Sequence, residues 1–260
     1  MVRVGLAVGG AALVLAGAAA LTWSQADYEE IRTVPLEGIG SVQLAGGAGG
    51  IEVRYEPGAR GEVREKVHRA ALWGGGADAG HRVEGDRLVL GTSCGWNCGV
   101  DYSVTLPTPV PVRGELGSGS LDVDGMASVD ARVASGGVHV RRVDGPVLVD
   151  SRSGEVVLAD LGGDVEVRGR SGGVDARELR GERFVADVAS GSVSARLTAP
   201  RTVDVSSGSG GIDLAVPRGA YRVDSDTGSG GEEIGVQRDP NSQQSIRVST
   251  RSGSIEVKPL

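Results

Sequence analysis

Gly169-Arg170-Ser171-Gly172-Gly173 has the G-x-S-x-G spacing of a serine nucleophile elbow. That chemistry needs a strand-to-helix turn that exposes the hydroxyl, with a His and an acid to activate it. Ser171 is instead one of a set of Ser-Gly pairs, whose glycines include Gly119, Gly136, Gly154, Gly172, Gly191, Gly210 and Gly253. A residue pair that recurs at each corner of a repeat is a turn former, so no catalytic residue is assigned. A second candidate chemistry is calcium binding. Gly208 to Val216 (GSGGIDLAV) approaches the unit G-G-x-G-x-D-x-U-x, with Asp213 in the ligand place. Asp122 and Asp175 occupy equivalent places, but His139, Val157, Glu166 and Ser194 fill others. A calcium ladder needs oxygen ligands in consecutive turns, so these positions read as solvated and no metal is expected. A third is glycoside cleavage, for which Asp150, Asp160, Asp164, Glu166 and Arg168 supply carboxylates and a cation. Sugar platforms are scarce there, since the repeat region has only Phe184 and Tyr221 as aromatics. An outward charge ladder that discourages edge-to-edge aggregation suits these residues better.

Cys94 and Cys98 stand in CGWNC. In an oxidising compartment a local disulfide is the default, and two free thiols in a reducing one is the other reading. Zinc needs four ligands, and His68, His81 and His139 are scattered. Trp73 and Trp96 lie in loops near the cysteines, suited either to touching a sugar or partner or to covering the end of a small core. No cofactor is expected.

These residues must be held by a frame with few aromatics. Glycine numbers 44 in 260 residues, while aromatic residues make up 3%. A thin core of Val, Ile, Leu and Ala with glycine at tight turns fits that composition. Net charge is −7 and the signs are interspersed, with no basic run of five. That excludes nucleic acid as a main partner, because phosphate binding needs clustered cations.

Arg3 is followed by an uncharged stretch to Ala26, and Asp27 is the next charge. Two readings fit residues 1–26. One is a signal peptide, with Ser24 and Ala26 before the cut. The other is an uncleaved hydrophobic helix that spans the membrane. Both place Asp27 onward outside the cytoplasm, membrane-anchored or secreted.

From Gly117 onward an apolar-x-apolar unit recurs. Its first residues (Leu121, Val129, Val138, Val147, Val156, Val165 and on to Tyr221) are spaced by steps of eight to ten. Ser-Gly pairs precede every other unit, so two units make a repeat of about eighteen residues. Alternation such as Val138-His139-Val140 is the period of a strand with one buried face. The expectation is an all-β parallel β-solenoid of two-strand coils, about fifteen strands in all, with each strand paired to its equivalents in the coils above and below. Residues 27–112 form a less regular β-rich N-terminal cap, including a hairpin in RVEGDRLVL, and residues 113–260 form the repeats. The two are expected to make one continuous domain. Thr227 to Gln244 reads as a loop on one coil.

The run VTLPTPVPVRGELGSGSLDV, from Val104 to Val123, and the units that follow it resemble the bacterial putative-adhesin domain family of unknown function, a β-solenoid akin to auto-transporter adhesin heads. The similarity covers roughly residues 37–260. It implies a β-solenoid at the cell envelope and no known catalytic residues. The expected function is a non-enzymatic, extracytoplasmic structural or adhesin-like module with an envelope or surface partner, and with the membrane as a further contact if residues 1–26 stay attached. The alternative is a polysaccharide-active enzyme on a β-helical frame.

Overall fold

The structure, a computed structural model, describes residues 28–69, 80–92 and 98–260. Residues 1–26, with their signal-peptide or anchor reading, lie outside them, as do Cys94, Trp73 and Trp96. No helix among the described residues is long and apolar enough to cross a membrane.

Seven strands precede the regular repeat: β1 (Tyr28–Pro35), β2 (Ser41–Gly47), β3 (Ile51–Tyr55), β4 (Glu62–Arg69), β5 (Gly80–Glu84), β6 (Arg87–Thr92) and β7 (Cys98–Leu106). The repeat then runs through β8 (Pro111–Ser118), β9 (Leu121–Asp124), β10 (Ser128–Ser135), β11 (Val138–Val143), β12 (Val147–Ser153) and β13 (Val156–Leu161). It continues through β14 (Val165–Ser171), β15 (Val174–Leu179), β16 (Arg183–Ser190), β17 (Val193–Leu197), β18 (Thr202–Ser207) and β19 (Ile212–Val216). The last strands are β20 (Ala220–Thr227), β21 (Glu232–Ile234), β22 (Gln237–Arg238), β23 (Ser245–Thr250) and β24 (Ile255–Pro259). They form two 12-stranded sheets, parallel through the repeat.

Each coil contributes one strand to each sheet. Val, Ile and Leu alternate with polar residues, and β-branched side chains pack well on a pleated surface. The inward positions stack in register: Val129, Val147, Val165, Phe184 and Val203 form one row. Val138, Val156, Val174, Val193 and Ile212 form the facing row. Both rows are buried. Burying one such side chain is worth roughly 1.5–3 kcal/mol, so the core is a long column of modest, repeated gains. Phe184 and Tyr221 are the bulkiest fully buried side chains. Tyr221 donates its hydroxyl to Pro217 O at 2.9 Å, and burial raises its pKa.

The coils do not stack in chain order at the two ends. After β19 the chain skips one coil position and builds β20 to β22. It then returns to insert β23 between β18 and β20, and β24 between β19 and β21. At the leading end β2 lies between β6 and β8, and β3 between β7 and β9. β2 and β3 near the start of the chain, and β23 and β24 at its end, are thus hydrogen-bonded on both sides, which resists the fraying usual at chain ends. The stretch from Thr227 to Gln244, read as a loop from sequence, contains the short strands β21 and β22.

A second corner is built on left-handed backbone. Arg142, Asp160 and Glu178 have φ of 53°, 58° and 53°, and Gly125, with φ 70°, precedes them in the same row. The bend lets the buried Val143, Leu161 and Leu179 turn back into the core. Non-glycine residues pay strain in this region. Glu178→Gly is therefore expected to raise stability by roughly 0.5–1 kcal/mol, net of glycine's greater freedom in the unfolded chain. Urea unfolding measures it, and a lower midpoint would refute the strain account.

Candidate interaction surface

Side chains between the inward positions face solvent on the two broad outer faces. There many of the ionised groups sit beside opposite charges. On one face Arg132 reaches Glu115 at 3.2 Å, and Glu166 pairs with Arg168 two residues on. On the other, Asp122 meets His139 at 2.9 Å, Arg177 Nε donates to Asp175 at 3.0 Å, and Lys258 Nζ donates to Asp213 at 2.9 Å. The hydrogen bond from Arg177 to Asp175, helped by that carboxylate's charge, raises the guanidinium pKa. Lys258 is raised chiefly by its hydrogen bond to Asp213, with Glu256 adding to it. Exposed pairs of this kind contribute little stability each, so their main effect is to pattern the surface.

The sequence-selected residues are placed as follows. Asp150 lies opposite Arg168 in register on one outer face, and Glu166 lies in the neighbouring row of that face. Asp160 is at the left-handed corner and pairs with Arg180. Asp164 sits in the turn before β14 and accepts the Arg183 backbone N–H at 3.0 Å. These carboxylates are spread over a face, a corner and a turn. Ser171 ends β14, and its carbonyl accepts the Gly154 N–H at 3.0 Å. Asp122, Asp175 and Asp213 each face a cation or His. Of the cysteines, Cys98 opens β7. His68 contacts Asp101 at 2.8 Å and His81 contacts Glu65 at 2.6 Å, so the three histidines occupy separate places.

The Ser-Gly corners form a continuous column. Gly119, Gly136, Gly154, Gly172, Gly191, Gly210 and Gly253 all have φ between 119° and 149°. A Cβ at each would overlap a backbone carbonyl of the coil beneath. Only glycine lets coils approach this closely.

Two features escaped sequence reasoning. The first is an open cleft of about 820 Å³ whose lining includes Tyr55, Pro57, Pro109 and Met126 together with the charged Glu56, Arg142 and Asp144. Arg142 is held there by Asp124 at 2.7 Å. The cleft joins residues more than eighty positions apart, and its only sequence signal is the proline cluster. The second is a polar group inside the leading end. Glu65, only 3% exposed, points inward from β4 and accepts both the backbone N–H of His81 at 2.7 Å and its ring nitrogen. Tyr102 donates its hydroxyl to Gly91 O at 2.7 Å. Burial, then the nearby charge of Glu65, raises the Tyr102 pKa. Glu65 alternates with Val63 and Val67 as a core residue would, so a carboxylate there demanded a partner from the opposite sheet.

The chain is similar to three solved structures, each at low sequence identity. One is described as a putative cell adhesion protein from Clostridium sporogenes: it is 14% identical, the match covers 90% of this chain and 100% of that one, and the TM-score is 0.27. A putative adhesin from Bacteroides fragilis is 14% identical over 90% of this chain and 97% of that one, with a TM-score of 0.37. A putative adhesin from Parabacteroides merdae is 9% identical over 87% and 95%, with a TM-score of 0.40. No family model and no curated protein matches the sequence.

Proposed function

We propose that this chain is a non-enzymatic, adhesin-like interaction module of the cell envelope, held outside the cytoplasm by or after export through residues 1–26. The observation that carries the reading is the patterning of the two outer faces. Charges are laid out in paired, exposed rows over rigid parallel sheets, and the candidate carboxylates are dispersed among them. Such a frame offers extended recognition surfaces whose shape changes little on contact. The cleft beside Tyr55 adds one concave place where a partner group can seat.

The full chain incubated with envelope and capsular polysaccharides is expected to bind without shortening them. Reducing-end release would reverse the reading if it were lost in Asp164→Asn with Glu166→Gln, since those changes remove the acids a glycosidase would use. Fractionation of producing cells, with the mass of the mature chain, tests the location. A full-length species in the membrane, or one beginning near Asp27 in the medium, is expected; a full-length cytosolic species would refute export.

A further inference from the structure

One outer row departs from the pairing of charges. On the outer face of the sheet that holds β10, β12 and β14, the row through Glu115, Arg132, Asp150, Arg168 and Asp187 alternates in sign from coil to coil. The outward row two residues further along each strand does not. It has Arg152 on β12 and Arg170 on β14, and the residues flanking them pair in register, Ser151 with Gly169 and Ser153 with Ser171. The two arginines are therefore neighbours, on strands about 4.8 Å apart. Both are exposed, and among the described residues neither makes an ion pair or a side-chain hydrogen bond. Like charges this close repel, and an anion between them relieves that cost. Small residues flank the pair in the same row: Gly117 and Ala134 on one side, Ala189 and Gly208 on the other. Arg251 follows Gly208 in the row. It is exposed, has no ion pair among the described residues, and lies against Gly208, its guanidinium 3.4 Å from the place of a Cβ there. Open recesses of about 290 and 330 Å³ lie at the small residues, the first lined in part by Arg152 and the second by Arg251. The acids beside the pair belong to the alternating row, where Asp150 lies between Arg132 and Arg168. One residue beyond the arginines, Ser135, Ser153, Ser171 and Ser190 are exposed at the corner. Their carbonyls accept glycine N–H groups of the neighbouring coil, and their hydroxyls make no hydrogen bond among the described residues.

We infer that this row is the contact for a linear acidic polysaccharide, whose carboxylates follow one another along the stack. The inference rests on the adhesin-like reading and names its class of partner. A guanidinium is a planar fork that matches a carboxylate, and Arg152 and Arg170 grip one from both sides. Arg251 stands three strand positions beyond Arg170, roughly 14 Å along the stack, and takes a second carboxylate. Ala189 and Gly208 leave room between them for a sugar ring, and the free serine hydroxyls at the corner donate to or accept from its hydroxyls. Sparse cations suit such a chain. A nucleic acid carries its phosphates far more densely, and three arginines would leave most of them without a partner. A bilayer would demand apolar anchors, and none of the exposed large hydrophobics Ile31, Val83 and Leu260 lies on this row.

The test is retention of the full chain, in mild detergent, on beads carrying polygalacturonate, dextran or polyphosphate. The native chain is expected to bind polygalacturonate and to release as salt rises toward about 0.5 M, where charges are screened within a few ångströms. It should pass dextran, which is neutral, and hold polyphosphate no more tightly than polygalacturonate. Arg152→Ser combined with Arg170→Ser should weaken binding to polygalacturonate about tenfold or more. Its thermal melt should be no lower than the parent's, because the charges removed are exposed and repel each other. Arg60→Ser combined with Arg218→Ser makes an equal change of charge in two loops, before β4 and before β20, and should leave binding unaltered. A native chain that passes polygalacturonate overturns the inference, as does tighter binding to polyphosphate. So does full binding by the first double variant, or an equal loss in the second, which would point to net charge alone. Those results leave the adhesin-like reading standing. Shortening of the polysaccharide would sink that reading instead, whatever the row binds.

Discussion

Val165→Asp is expected to unfold the coils around β14. Val165 is 2% exposed and lies in register between Val147 and Phe184, facing the opposite sheet. A carboxylate there loses its water and finds apolar neighbours above and below. The penalty is on the order of 5 kcal/mol, near the whole stability of an ordinary domain. A solenoid holds each coil only through its neighbours, so failure at one coil loosens those beside it. Thermal unfolding by circular dichroism should show a large drop in midpoint, and limited proteolysis should cut first between about residues 145 and 190. Glu166→Gln, one position along and facing out, should change stability by no more than about 0.5 kcal/mol. If Val165→Asp melted like the parent, the assignment of inward and outward faces would be wrong.

Gly172→Ala and Gly173→Ala concern adjacent glycines but should have opposite outcomes. Gly172 has φ 128°, a conformation that L side chains rarely adopt, and a Cβ there would overlap Gly154 O of the coil beneath. That carbonyl is backbone, and its residue is held to the next coil by the Gly154 N–H, which donates to Ser171 O at 3.0 Å, so it cannot readily step aside. The expected cost is roughly 3–5 kcal/mol from strain and overlap together. At Gly173 the nearest atom to a Cβ is Ser192 O at 3.5 Å, an ordinary contact, and alanine should be tolerated within about 1 kcal/mol. Urea titration resolves the two, provided the slope stays that of the parent. Equal losses at both positions would mean that close coil approach is not what demands glycine.

The strands and their faces were legible because they are local. Val-x-Val alternation identifies a half-buried strand from three residues, as at Val138-His139-Val140, and the recurring Ser-Gly pairs set the coil length. The hairpin in RVEGDRLVL was readable for the same reason, and β5 and β6 are antiparallel around Gly85. The left-handed corner at Arg142, Asp160 and Glu178 was not, because its residue types differ and only the backbone is shared.

By itself the sequence determined the all-β class, the two-strand coil and the inward rows, since a period of two and a glycine at each corner leave the chain few alternatives. Only the tertiary structure decided which coil lies beside which. β23 and β24 have the same alternation as any repeat unit, so nothing in their residues says that they slot in beneath β20 and β21. It likewise decided that Glu65 is an inward residue with His81 as its partner, and that Tyr55, Pro57, Pro109 and Met126 share one cleft. Those outcomes depend on contacts between segments far apart in the chain, and local periodicity carries no information about them.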